Sequence, residues 1–221
     1  MSAGERLRAA VEGRMPDRVP VVPKIWVDLA AALTGTALTE VIADPLTALR
    51  VIASAGRQCR VDAVRQFHFP ARRIRQAGER VFEVDPRGEV LGEIDLAGGL
   101  GTHLRDPAVF DLADPRRMAF APHWLADSPL VRDLADARRM AVPGAALYEE
   151  LGCADRQRQV LEELSGEIAV IGDCGSATMA FLVSTRGMNR AMFDLIEEPE
   201  LVHAVMEKGA AIAIEKGKFN L

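Results

Sequence analysis

The sequence predicts an α/β fold, either an open sheet or part of a barrel. Three observations predict it. Short β-rich runs occur at 19–25, 61–70 and 168–171, each apolar and bounded by proline or glycine. Segments with helical spacing separate and follow these runs, the pattern of parallel strands joined by crossover helices. Residues 80–95 instead alternate apolar and polar around Asp85-Pro86-Arg87-Gly88, which predicts a β-hairpin excursion.

The elements follow in order. Residues 4–13 read as a helix with Leu7, Ala10 and Val11 on one face and Gly13 as its stop. Pro16, Pro20 and Pro23 forbid helix in the next stretch, while Val19, Val21, Val22 and Ile25 suit a buried strand. "DLAAALTG" and "LTEVIA" read as short helices, and Asp44-Pro45 opens a longer one, "PLTALRVIASAGRQC". Val61 to Pro70 is the second strand. "LAGGLGTHLRDP" is a glycine-rich loop whose spacing does not fit a nucleotide-binding fingerprint. "LADPRRMAF" at 112–120 resembles "LADARRMAV" at 134–142, which reused aspartate N-caps explain without a repeat architecture. "RQRQVLEELSGE" is a helix ending at Gly166, and "IAVIGDCG" is the third strand. The remainder to Phe219 is helical with a break at Glu198-Pro199. A closed (β/α)8 barrel needs eight strands and typically about 250 residues, so three strands fit an open sheet or a partial barrel.

Composition narrows the class. A chain of 221 residues, 49% hydrophobic, can build one sizeable core, so a single domain over 1–221 is expected. The net charge of −5 argues against a nucleic-acid surface. Cys59, Cys153 and Cys174 suggest neither a disulfide framework nor a metal knuckle, and read as reduced thiols. The first residues lack the apolar run of a signal peptide, and "GAAIAI" is too short to span a bilayer. The expectation is a cytoplasmic protein with no membrane partner.

Two stretches carry a family resemblance. In "ERLRAAVEGRMPDRVPVVPKIW", a helix and a Gly-containing link lead to Pro16, Asp17, Arg18, Pro20 and Val21. In "GDCGSATMAFLVSTRGMNRAMFDLIEEPELVHAVME", Gly172, Gly175, Gly187, Asp194, Pro199, Glu200, Leu201 and Val202 recur in order. Both resemble the uroporphyrinogen decarboxylase and corrinoid methyltransferase superfamily. The resemblance implies a (β/α)8 barrel whose chemistry lies at the C-terminal ends of the strands. It also implies that this chain is the N-terminal, C-terminally incomplete part of that barrel. Zinc and a corrinoid are the implied cofactors. The family's zinc ligands are a His-x-Cys pair and a later cysteine. No His-x-Cys occurs here, so no zinc ligand is assigned to this chain.

The departures point toward the methyltransferase-like members. The decarboxylase's RQAGR directly follows its first strand, where this chain has Lys24-Ile25-Trp26-Val27-Asp28. Here Arg75-Gln76-Ala77-Gly78 follows the second strand instead. The decarboxylase's Ser-Asp at the end of the second strand corresponds to Phe67-His68-Phe69-Pro70, and its tyrosine falls near Val183. The resemblance therefore implies methyl transfer involving a corrinoid, with a tetrapyrrole or corrinoid protein as partner. Uroporphyrinogen decarboxylation and a non-catalytic barrel fragment are the alternatives. A homodimer, or a second polypeptide supplying the rest of the barrel, would complete the fold.

Seven residues are candidates for chemistry. His68, at the end of the second strand, suits a general acid, base or metal ligand, or a hydrogen-bonded wall residue. Asp173, ending the third strand, suits a base or cation ligand, or a helix cap. Cys174 reads as a buried packing thiol. Lys24 and Trp26, ending the first strand, suit an anionic group and a flat ligand face, or a surface ion pair and core packing. Arg65 and Arg72, with Arg73, suit carboxylate binding or a solvated loop.

Overall fold

The computed structural model describes residues 1–65, 71–98, 100–120, 124–125, 128–175 and 177–220. Among them are eleven α-helices and two small sheets, neither closed into a barrel. The mixed α/β class matches the sequence. The chain divides into two compact units, Met1–Ala71 with Gly152–Asp173, and Arg72–Leu151 with Cys174–Leu221. Elements below are numbered in chain order.

The first unit opens with α1 (Ala3–Val11). Its start is a capping box, Ser2 accepting from the Glu5 amide and Glu5 reaching back to the Ser2 amide. The helix does not bury the face expected from its apolar residues. Ala3, Arg6 and Ala9 face inward, and Val11 is 80% exposed. The cause is electrostatic, because Arg6 is drawn inward by Asp17 and Asp62.

Among the described residues, the proline-rich stretch expected to be the first strand belongs to no hydrogen-bonded ladder. Pro20 and Pro23 have no N–H to give. Its backbone is still tied to the next strand region, where the Asp62 amide donates to the Val21 carbonyl at 2.8 Å. Helices α2 (Val27–Thr34), α3 (Leu38–Ala43) and α4 (Pro45–Gln58) follow. Asp44 caps α4 by accepting from the Leu46 and Thr47 amides, with Pro45 in the first turn. Gly56 of α4 is required for packing, since a Cβ there would lie 2.5 Å from Val64 of the next strand.

That strand, β1 (Ala63–Arg65), is the described part of the expected second strand; 66–70 lie outside the described residues. It pairs in parallel with β7 (Ala169–Ile171), the expected third strand, in the register Ala63↔Ala169 to Arg65↔Ile171. The Ala169 amide donates to Asp62 O at 2.9 Å. Asp62 thus links backbone to Val21 on one side and Ala169 on the other, so the three expected strand regions lie in sequence order. Between them, α8 (Cys153–Leu164) packs on α4 and ends at Ser165 and Gly166, both with positive φ.

The second unit holds a five-stranded sheet in the order β2-β3-β4-β5-β6. The strands are β2 (Ile74–Ala77), β3 (Arg80–Val84), β4 (Val90–Ile94), β5 (Thr102–Leu104) and β6 (Trp124–Leu125). All neighbours are antiparallel except β5 and β6. The expected hairpin is β3–β4, its turn held by Asp85 accepting from the Arg87 and Glu89 amides. RQAG is β2 and its turn, where Gly78 adopts φ +62°. The stretch read as a glycine-rich loop contains β5, which the sequence reading missed.

The helices here are α5 (Pro115–Met118), α6 (Leu134–Arg139), α7 (Ala145–Glu150), α9 (Met179–Arg186), α10 (Met188–Glu197) and α11 (Pro199–Phe219). Leu112, Met118, Val131, Met140, Phe181 and Leu182 form a core with Val205 of α11. The two "LAD" stretches differ in detail. Asp114 caps α5, but the matching Asp136 lies inside α6, whose cap is Asp133. Asp136 is instead buried and held by Arg132 and Arg139.

Candidate functional site

In the first unit, β1 and β7 run in the same direction, so their C-terminal ends lie together. Arg65 is the last residue of β1, and Asp173 follows the last residue of β7 by two. The parallel register brings them into contact. Arg65 Nη2 donates to Asp173 Oδ1 at 2.7 Å. The side chains are 36% and 15% exposed, so the pair is accessible from one side while Asp173 is largely enclosed. A charge-assisted bond of this length orients the carboxylate. Two of the seven sequence candidates are thus partners.

Two more lie in the same unit. Lys24 Nζ stands 4.2 Å from the Trp26 ring centroid, a cation–π contact. Trp26 is 45% exposed and occupies the N-cap position of α2. Lys24 follows Val21 by three residues, as Arg65 follows Asp62. His68 lies outside the described residues.

Arg72 belongs to the second unit and is enclosed there. Its Nη1 donates to the Leu100 carbonyl at 2.6 Å and to Thr102 Oγ1 at 3.2 Å. Thr102 Oγ1 in turn donates to Glu83 Oε2 at 2.5 Å. Burial lowers the Arg72 pKa and raises that of Glu83, each partly opposed by the other's charge. In this setting Arg72 serves the interior of the sheet. Cys174, read as buried, is exposed, and Cys153 is the buried thiol.

The opposite ends of β1 and β7 carry a second polar cluster that the sequence reading did not single out. Its centre is Asp62, 2% exposed. Arg18 donates to both its oxygens at 2.6 and 2.8 Å, Arg6 to one at 2.5 Å, and the Val21 amide to the other at 2.7 Å. Arg6 also clasps Asp17 through Nε and Nη2. Burial alone would raise the Asp62 pKa, but the Val21 amide and the two guanidinium groups hold it below the usual range. Arg6 likewise holds Asp17 well below its ordinary value. Asp17 and Arg18 are the motif residues of the first stretch, and their partner here is structural. The sequence signal was present: an aspartate inside the apolar run Val61 to Val64 must be paired if buried.

Comparison with protein-family models, with curated proteins and with solved structures finds no match to this chain. Among the described residues, no three His, Cys, Asp or Glu side chains are grouped to hold a metal ion. No helix among the described residues is long and apolar enough to cross a membrane.

Proposed function

We propose that this chain is a methyltransferase-like protein of the uroporphyrinogen decarboxylase and corrinoid methyltransferase superfamily, folded as the first strands and helices of a (β/α)8 barrel. The observation that carries the reading is the Arg65–Asp173 pair at the C-terminal ends of two parallel strands. Chemistry in α/β folds gathers at that end. The opposite end holds the saturated Asp62 cluster, a stabilising role consistent with the N-terminal face of such a fold. The order of the Val21 segment, β1 and β7 also supports the reading.

The bound corrinoid would supply the methyl group. Asp173 would accept a proton or orient a donor on the acceptor, with Arg65 fixing its carboxylate. Trp26 would offer a flat apolar face to the macrocycle, and Lys24 would meet its peripheral carboxamide or carboxylate groups.

The test is an absorbance titration of the purified chain with hydroxocobalamin. Saturable binding is expected, weakened about tenfold by Asp173→Asn or Trp26→Ala, the loss of one charge-assisted or stacking contact. Binding that neither substitution changes would remove the site from these residues. Incubation with uroporphyrinogen is expected to yield no coproporphyrinogen, and its formation would favour the decarboxylase instead.

A further inference from the structure

The residue that closes α4 is held in a conformation that favours glycine. Cys59 is the C-cap of this helix. Beyond it, the Arg60 amide donates to the Arg57 carbonyl and the Val61 amide to the Gly56 carbonyl. That pair of bonds is a Schellman motif, whose left-handed position is usually glycine. Here the position is Arg60, with φ +52°. A side chain in this region crowds its own backbone, and such strain persists where another role requires the residue. Bonding within the fold supplies no such role. Among the described residues, the Arg60 side chain has no hydrogen bond or ion pair.

Arg60 instead lines a hollow of about 440 Å³ within the first unit, shared with Arg6, Arg18, Arg57, Asp62 and Glu167. That volume is in the range of small-molecule sites. The charges lining it do not balance, since four guanidinium groups meet two carboxylates. Both carboxylates are engaged. Asp62 accepts from Arg6, from both ends of the Arg18 fork and from the Val21 amide, which fills its lone pairs. Glu167 accepts from Arg57 Nε at 2.8 Å. Asp17, outside the lining, offsets one further charge through Arg6. The charge left over is that of Arg60. Arg18 and Arg57 are about half exposed, and each commits only part of its fork to the chain. A phosphate group fits this setting. It brings up to about two negative charges and several terminal oxygens, acceptors for guanidinium groups reaching it from different elements, whereas a carboxylate offers its oxygens in one plane. We propose that this hollow, at the N-terminal ends of β1 and β7, binds a phosphate group, with Arg60 as its anchor and Arg57 and Arg18 beside it. The site is independent of the Arg65–Asp173 pair at the other ends of the same strands.

Isothermal titration calorimetry of the full chain with inorganic phosphate, ribose 5-phosphate and ribose tests this. Saturable binding is expected for both phosphate-bearing probes, and none for ribose. Tighter binding of ribose 5-phosphate would assign the site to a phosphorylated metabolite, and equal binding to free phosphate; either supports the site. Arg60→Gly should weaken binding at least about tenfold, the loss of a charge-assisted contact. The same substitution should raise the melting temperature of the ligand-free chain, because glycine takes up a positive φ without steric cost. These opposite signs separate a binding arginine from a structural one. No binding of either phosphate probe, binding that Arg60→Gly leaves unchanged, or a melting temperature lowered by Arg60→Gly would each overturn the proposal.

Discussion

Arg186 and Asp194 meet at 2.5 Å with side chains 2% and 0% exposed. The arginine also donates to the Val131 and Arg132 carbonyls, so it ties the end of α9 both to α10 and to the loop before α6. Removing one partner strands the other charge in the interior. Asp194→Ala is expected to cost about 3–5 kcal/mol, measured by urea denaturation. Arg186→Lys should recover little of the stability lost in Arg186→Ala, because a single ammonium group cannot span Asp194 and two carbonyls in the same fork geometry.

Thr102 is fully buried and relays between Arg72 and Glu83. Thr102→Val keeps the shape and the β-branch but removes the hydroxyl. Glu83 then loses a donor while remaining desolvated. A loss of about 1–3 kcal/mol is expected, read from the denaturation midpoint.

Acid should weaken the second unit in a defined window. Arg132's side chain holds the Asp136 pKa at about 2, against the opposing effect of burial, with help from the Arg132 amide and Arg139. In the unfolded chain an aspartate titrates near 3.9. A folded value below the unfolded one stabilises the native state above about pH 4, and that contribution disappears as pH falls toward 2. On the order of 2 kcal/mol is at stake. Denaturation midpoints between pH 7 and pH 2 should fall more steeply for the parent chain than for Asp136→Asn.

Two glycines of α11 should respond oppositely to alanine. A Cβ at Gly209 would meet the Ala177 carbonyl oxygen and lie 2.8 Å from the Phe181 ring. At Gly217 the nearest atom is Cys174 Cβ at 4.0 Å. Gly209→Ala should lower the melting temperature despite alanine's higher helix propensity, as overpacking costs about 1–3 kcal/mol. Gly217→Ala should raise stability by up to about 1 kcal/mol.

Where local chemistry decided structure, the sequence was legible. Asp44-Pro45 opened α4, Glu198-Pro199 separated α10 from α11, and Asp85 to Gly88 turned the β3–β4 hairpin. Where long-range charge decided it, apolar pattern misled. Arg6 faces inward for the sake of Asp17 and Asp62, displacing the Val11 face. Asp194 does the same to α10, leaving Ile196 outside. β5 was missed because its three residues, Thr102–Leu104, are too few to show a period and directly follow a glycine-rich run. In the candidate site, Arg65 and Asp173 could be named as strand ends, but their contact depends on a register between residues over a hundred apart. Arg72 could not be told from a surface arginine, because its acceptors are the Leu100 carbonyl and Thr102.

The pairing of Ala63 with Ala169 has a consequence for the newborn chain. Synthesis proceeds at about 5–20 residues per second, so β1 leaves the ribosome roughly 5–20 s before its partner exists. The β2–β5 hairpins need no such wait, since each strand meets its neighbour within a short stretch. The second sheet should therefore be formed while β1 and the apolar face of α4 are still open, and this interval is when the chain has most need of a chaperone.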